Sequence, residues 1–262
     1  MMNKKLVLFL LIINSLLFSQ TTYEFLRVDV SPRAAGMGGS FVAANDDPDV
    51  IFYNPAGLAT LTGTPISFSY VKYLLDINFA GLSVSRNFDN IGRFGAGIKY
   101  VNYGTFTGAD ENGAKLPDFG AGEIVFDLAY SNFLSDNFSY GGATKFIYSS
   151  IQKYSSTALG FDAGLNYSIP QERWNFAISM LNMGGQLSSY ASTTEQIPFE
   201  IVVGVSKRLQ NLPLKFHIDF HRLNDNSTTF GQRFNAFTVG GELNLSKVLK
   251  LRAGYDNKKR KD

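Results

Sequence analysis

The stretch Phe138-Ser139-Tyr140-Gly141-Gly142-Ala143-Thr144-Lys145-Phe146-Ile147-Tyr148 repeats its side-chain character every second residue. Aromatic side chains occupy positions 138, 140, 146 and 148, whereas the intervening positions hold mainly small residues and one lysine. A period of two is that of a β-strand whose two faces meet different surroundings. The stretch therefore predicts a strand with one apolar and one polar face.

The same alternation recurs along most of the chain, and Gly, Asn, Asp and Ser separate the segments. The predicted strands cover residues 66–70, 77–83, 94–103, 124–130, 138–148, 161–167, 174–180, 201–205, 214–220, 237–245 and 249–255. Short turns are predicted at 87–90 and 170–173, and long polar loops at 104–120, 184–198 and 222–235. Eleven or twelve strands without covering helices must close into a barrel or stack as two sheets.

Composition narrows this choice. Charged residues make up 18% of the 262 residues and aromatic residues 14%, while the mean hydropathy is −0.04. Lipid-facing and lumen-facing side chains of a transmembrane barrel cancel in such an average. We expect an all-β protein, an antiparallel transmembrane β-barrel. The alternative is a secreted soluble β-sandwich that binds glycans.

The first nineteen residues predict a secretory signal peptide. Lys4 and Lys5 precede an apolar run over residues 6–17, and the small residue Ser19 precedes Gln20. The run is shorter than the ~20 apolar residues of a membrane-spanning helix. The pattern predicts export and cleavage near Ser19, and with the barrel it predicts a location in the bacterial outer membrane.

Several classes of function are disfavoured. The chain without its predicted signal is near neutral, which argues against nucleic-acid binding. It has no cysteine, so disulfides, Cys-ligated zinc and thiol catalysis are ruled out. Gly36-Met37-Gly38-Gly39 lacks the dinucleotide-binding spacing, and no glycine completes a nucleophile elbow around Ser83. We expect neither an enzyme nor a bound cofactor.

Residues 20–63 precede the first alternating segment, and we expect them to be irregular, with little structure of their own. They carry the aspartates Asp46, Asp47 and Asp49. Clustered carboxylates could bind Ca²⁺, but this group lacks the glycine and distal glutamate of an EF-hand loop. Turn formation, with Asp side chains capping nearby backbone amides, is the favoured interpretation.

His217, Asp219 and His221 form a second polar group. They share one face of a predicted strand because residues i, i+2 and i+4 point the same way. Imidazole and carboxylate are good metal ligands, but successive members lie about 7 Å apart along a strand. We interpret them as a polar cluster on the lumen face and predict no metal site.

Three stretches resemble a known family: 33–39 (Arg-Ala-Ala-Gly-Met-Gly-Gly), 45–47 (Asn-Asp-Asp) and 54–59 (Asn-Pro-Ala-Gly-Leu-Ala). Further matches are Tyr23-x-Phe25-Leu26, 76–79, 100–107 and 148–150. With them the chain resembles the PorV/PorQ family of the type IX secretion system, within the FadL-like outer-membrane proteins, and is closest to PorQ.

The resemblance implies a barrel, commonly of fourteen strands, whose N-terminal segment folds into the lumen as a hatch. We expect about 12–14 strands here, a signal at 1–19, a hatch at 20–63 and a barrel at 64–262. The chain has fewer predicted strands than the family's fourteen, which suggests that the sequence is truncated at its C-terminal end. The hatch motif residues are Arg33, Gly36, Gly38, Gly39, Asp46, Asp47, Asn54, Pro55 and Gly57.

The resemblance also implies a function in Bacteroidota: anchoring the cell-surface attachment complex through a PorZ-like surface protein. Its partners would be outer-membrane lipid and other type IX secretion proteins. The same hatch pattern allows a FadL-type transporter with a hydrophobic ligand. A hatch that seals a polar lumen would favour the scaffold, and a hatch beside an apolar cavity would favour the transporter.

Overall fold

One antiparallel sheet of eleven strands in sequence order makes up most of the computed structural model. It describes residues 23–190, 194–225, 229–246 and 248–257, so the predicted signal peptide lies outside the described residues. The strands are β1 (Ile66–Lys72), β2 (Asn78–Phe88), β3 (Gly92–Ala109), β4 (Lys115–Ser135), β5 (Phe138–Ile151), β6 (Tyr154–Ile169), β7 (Trp174–Ser188), β8 (Glu200–Arg208), β9 (Leu214–Phe220), β10 (Phe237–Asn244) and β11 (Lys250–Asp256). Each predicted segment corresponds to one strand, and the described residues hold eleven strands rather than the expected 12–14.

The two faces of the sheet differ as the alternation predicts. Outward side chains are large and apolar, and Phe68 and Leu128 are 72% and 66% exposed. Inward side chains such as Ser83 and Lys145 are polar and buried. A single sheet with this outer face differs from a soluble sandwich, which would bury its apolar face between two sheets.

Connections between strands differ at the two ends of the sheet. At one end, here called the turn end, the turns between β2 and β3, β4 and β5, and β6 and β7 are short. The other end, here called the loop end, carries the connection 189–199 and the connection 221–236, which includes helix α2 (Phe230–Arg233). The predicted alternation of long and short connections is wrong for β5 and β6, which are joined at the loop end by residues 152–153 alone.

The predicted loop at 104–120 is wrong. β3 and β4 continue through it as a hairpin, and only residues 110–114 form the turn. The register shifts between Asn102 and Thr105, where Gly104 has a φ of +79°, and again before Gly108. These bulges interrupt the alternation, so the sequence pattern does not reveal the strands.

Residues 23–63, here called the inner segment, lie on the concave side of the sheet and are more structured than expected. They contain helix α1 (Pro32–Gly36) and 3₁₀ helices at Glu24–Arg27, Pro48–Phe52 and Pro55–Thr60. Proline fits the first turn of three of these helices because its missing N–H has no intrahelical acceptor there. Side-chain oxygens of Asp47 and Asn54 cap two of them.

The sheet wraps around the inner segment from its first strand to its last. Glycines on inward positions allow the close approach, because a Cβ at each would press into the segment. The pairs are Gly81 with Val30, Gly97 with Phe52, Gly141 with Ala56, Gly204 with Val42, and Gly254 with Met37. Among the described strands, no ladder joins β11 to β1. No helix in the described part of the chain has the length and apolar character needed to span a bilayer.

Candidate functional site

Arg33 joins the inner segment to the last strands. Its Nε and Nη2 donate to the two carboxylate oxygens of Glu242 on β10, at 2.9 and 3.2 Å. Its Nη1 lies 3.0 Å from Asp46 and 3.2 Å from Asp47. Arg252 on β11 also pairs with Glu242 at 2.7 Å. This two-oxygen geometry is specific to a guanidinium, so Arg33 fixes the start of α1 against β10.

Asp46 continues the ion-pair network towards β9. Lys215 lies 3.5 Å from Asp46 and donates to the side-chain oxygen of Asn45 at 3.0 Å. Burial raises the pKa of Asp46, but the positive charges of Lys215 and Arg33 outweigh burial and hold it well below its usual range. For Asp47, burial is the larger effect and raises the pKa. Asp47 also caps the amide of Asp49, whereas the ion pairs of Asp46 and Asp47 were not part of the turn interpretation.

The glycine run presents backbone amides to a strand. Gly38 and Gly39 have positive φ values of 67° and 82°, which turn the chain after α1. Behind this turn, the amides of Phe41 and Val42 donate to one carboxylate oxygen of Asp219 on β9, at 2.6 and 2.9 Å. Asp219 therefore anchors the middle of the inner segment to the sheet.

The remaining motif residues hold the end of the inner segment. Asn54 is fully buried, and its side chain accepts from Ala56 N and donates to the carbonyl oxygens of Val42 and Leu165. Pro55 starts the 3₁₀ helix that follows. A Cβ on Gly57 would lie 2.9 Å from the carbonyl oxygen of Ala44, which explains the glycine. Gly36 similarly packs against the side chain of Arg252.

The three residues of the predicted lumen cluster have different partners. His221 contacts Glu200 at 3.1 Å and Thr238 at 3.2 Å. Neither ring nitrogen of His217 has a hydrogen-bond partner among the described residues. Together with the amide contacts of Asp219, this shows that the three side chains have no hydrogen-bond partner in common. Within the described ranges, no three His, Asp or Glu side chains are grouped so that they could hold a metal ion.

A cavity of about 650 Å³ lies between the inner segment and the loop-end half of the strands. One side holds the apolar and aromatic residues Leu26, Val28, Phe52 and Tyr53 from the inner segment, with Val71, Tyr73 and Phe79 from β1, β2 and their connection. Two charged residues also line this side: Tyr53 donates to Asp29 at 3.0 Å, and the Lys99 ammonium lies 5.0 Å from the ring centre of Phe52. The opposite side is largely polar: Lys145, Asn182, Glu200, Asp219, His221 and Arg222. The cavity can therefore hold an apolar compound against one wall and hydrogen-bond a polar group at the other.

Backbone strain marks the polar side of the cavity. Asn182 and Arg222 have φ values of 59° and 52°, which residues other than glycine seldom adopt. The other positive-φ residues that are not glycine, Leu75, Asn90, Gln152 and Arg173, all lie in hairpin turns. Asn182 lies where the register of β6 and β7 shifts, and the carbonyl oxygen of Arg222 accepts from Asp225 N at 2.9 Å, so a bulge and a turn account for these two values. The sequence alone does not reveal this cavity, because its lining comes from the inner segment and eight different strands, and the alternation within one strand carries no information about the others.

Two solved structures share this architecture. The Pseudomonas putida toluene transporter TodX matches with a TM-score of 0.56 and 14% sequence identity, over 84% of this chain and 81% of its own. The Ralstonia pickettii toluene transporter TbuX matches with a TM-score of 0.50 and 13% identity, over 88% of this chain and 79% of its own. No protein-family model matches the chain, and no curated protein does. The likeness shows the fold alone, an antiparallel transmembrane β-barrel.

Proposed function

We propose that this protein is an outer-membrane transporter of small hydrophobic compounds, and that the inner segment is its hatch. The observation that carries the proposal is the cavity beside the inner segment, whose aromatic wall is formed by Phe52, Tyr53, Tyr73 and Phe79. Ligand sites are commonly concave, largely apolar and furnished with a few polar groups. The two toluene transporters of similar fold support the same class of function.

The position of the cavity supports uptake from the loop end. Its lining includes Tyr73 between β1 and β2, Arg222 after β9 and Asp256 at the end of β11, all at the loop end. Long connections of outer-membrane barrels face the cell exterior. A compound would reach the cavity from outside and meet the inner segment, which must move or loosen before the compound passes on.

The test is uptake of radiolabelled toluene by proteoliposomes that contain the purified protein. Val71 faces the cavity from β1, and Val71→Trp is expected to fill it and reduce uptake severalfold. Val203 is 37% exposed on the outer face of β8, so Val203→Trp adds the same side chain away from the cavity. Wild-type uptake no faster than that of protein-free liposomes would refute transport of this compound class. Equal uptake by the two variants would show that toluene does not pass through the cavity.

A second candidate is the scaffold of the type IX secretion system that the PorQ-like motif suggests. One observation favours it: residues 103–120 extend the β3–β4 hairpin beyond the paired parts of β2 and β5. Phe106 and Phe119 stack on this extension with ring centres 5.4 Å apart. An isolated two-stranded hairpin is only marginally stable in water, so a bound partner would stabilise it.

Deletion of the hairpin tip separates the two candidates. Removing residues 105–119 and rejoining the strands with a short turn leaves the cavity lining intact. The scaffold predicts that the full-length protein co-purifies with a PorZ-like surface protein and that the deletion loses it. The scaffold proposal is contradicted if the deletion variant still co-purifies with the partner, or if the full-length protein co-purifies with no partner. Transport predicts that the deletion still takes up toluene.

A further inference from the structure

A shallow, open groove with a volume of about 760 Å³ crosses the outer surface of the sheet between β2 and β6. The small residues Ala96 and Gly142 form its recess, and the larger side chains of Phe94, Leu128 and Phe161 border it. Outward positions of a transmembrane barrel face lipid. The groove therefore opens into the membrane and lies on the other side of the sheet from the cavity of the proposed transporter.

Arg86 adds a positive charge to this apolar groove. It faces outward near the end of β2, and its guanidinium carbon lies 5.6 Å from the ring centre of Phe88. Phe88 packs edge-on against Phe94 with ring centres 5.6 Å apart, and Phe94 contacts Tyr130 at 5.2 Å. Rows of aromatic rings mark the interface between hydrocarbon and headgroups. Arg86 is thus at the depth where lipid phosphates lie.

No carboxylate among the described residues forms an ion pair with Arg86. The other outward cation stacked on an aromatic ring at the turn end is Lys207, whose ammonium lies 4.5 Å from the ring centre of Trp174. Lys207 donates to the carbonyl oxygen of Glu172 at 2.6 Å, so it already has an acceptor. Arg86 instead keeps its charge-assisted donors available for an anion from outside the chain.

The recess is not required for packing the sheet. A Cβ on Gly142 would first meet the carbonyl oxygen of Asp162 at 3.6 Å, an ordinary contact distance. The backbone at position 142 can therefore carry a larger side chain. The recess is open because residue 142 is a glycine.

We propose that this groove binds one anionic phospholipid from the membrane, with an acyl chain in the recess and the headgroup phosphate on Arg86. The planar guanidinium suits two phosphate oxygens, and the apolar border suits a hydrocarbon chain. A zwitterionic lipid offers the same chain, but its ammonium group offsets the phosphate charge. The groove is therefore selective for headgroup charge.

Native mass spectrometry tests this binding. The protein in non-ionic detergent is mixed with equal amounts of phosphatidylglycerol and phosphatidylethanolamine that carry identical chains. We expect one tightly held phosphatidylglycerol, retained about fivefold more than phosphatidylethanolamine, the preference that one surface cation confers. Arg86→Gln is expected to abolish the preference, whereas the matched variant Lys207→Gln keeps it.

Filling the recess gives an independent measurement. Gly142→Leu is expected to reduce retention of both lipids, because the acyl chain loses its place. Gly241 also faces outward, and a Cβ there meets no atom closer than 4.0 Å, so Gly241→Leu is the matched control. Each variant is first shown to keep the heat-modifiable gel migration of the wild type.

Three results overturn the proposal. The first is equal retention of the two lipids by the wild type, and the second is unchanged retention in Gly142→Leu. The third is binding of glycerol 3-phosphate as tight as that of the lipid, because a free phosphate would then explain the role of Arg86. None of these results bears on toluene uptake, so the transporter proposal is judged separately.

Discussion

Replacing Asp219 is expected to free the middle of the inner segment from β9. The amides of Phe41 and Val42 donate to its carboxylate, and these two residues are 0% and 2% exposed. In Asp219→Ala both amides stay buried but lose their acceptor. A buried unsatisfied donor costs about 1–3 kcal/mol, so two of them lower the local opening free energy by about 2–6 kcal/mol. Asp219→Asn keeps one side-chain oxygen as an acceptor, so its local opening free energy is expected to lie between those of the wild type and Asp219→Ala.

Hydrogen exchange of the peptide covering residues 37–44 measures this effect. A loss of about 2 kcal/mol accelerates exchange about 30-fold, and larger losses accelerate it further. Asp89, which lies exposed in the β2–β3 turn, provides the control variant Asp89→Ala. Exchange in the control is expected to match the wild type throughout the inner segment.

Two outcomes would refute this reasoning. Wild-type exchange rates for Phe41 and Val42 in Asp219→Ala would mean that the carboxylate does not hold the segment. Equal acceleration in the segment and in the strands would mean that the whole barrel had been destabilised, rather than one local contact.

Three further predictions concern how the inner segment is held. Arg33→Met breaks the ion pair between the inner segment and Glu242, which keeps its contact with Arg252, so the cost is expected to be below the ~3–5 kcal/mol of a buried charge left without any partner. The inner segment is expected to become protease-sensitive, and resistance equal to wild type would contradict this. Gly240→Ala places a Cβ 2.6 Å from Met37 and is expected to lower the thermal unfolding midpoint, whereas Gly241→Ala, with open space, leaves it unchanged. The pKa of Asp46 is lowered on folding, so its ion pairs stabilise the segment above about pH 4, and this stabilisation is lost as the pH falls further. Protease sensitivity should therefore rise below pH 4 in the wild type, and Asp46→Asn should lack that component.

The strands could be predicted from the sequence because each one carries its own signal. The two-residue alternation in 138–148 predicts, from this strand alone, which of its two faces contacts lipid. The hairpin at 103–120 could not be predicted, because two bulges shift the side chains between faces. Bulges follow from the pairing of two strands, and a single strand does not display that pairing.

The residues of the candidate site were predictable to different degrees. Arg33, Asp46 and Asn54 stand out in a motif, but their partners Glu242, Lys215 and Leu165 come from strands far along the chain. The cavity was not predictable, since its aromatic and polar walls meet only when the sheet curves. Positive φ at Asn182 and Arg222 is likewise set by tertiary structure, because neither residue type favours it strongly enough alone.

The contacts of Asp219 and Glu242 also constrain the order of assembly. The inner segment is synthesised before any strand, yet its hydrogen bonds to these carboxylates span 178 and 209 residues. Contacts so distant in sequence form slowly, because a long loop must close before they contribute any stability. Met37, Phe41 and Ile51, all fully buried in the folded protein, must stay shielded from aggregation until β9 and β10 exist. The inner segment therefore gains its anchors only after β9 and β10 have been synthesised, although it precedes them by more than 170 residues.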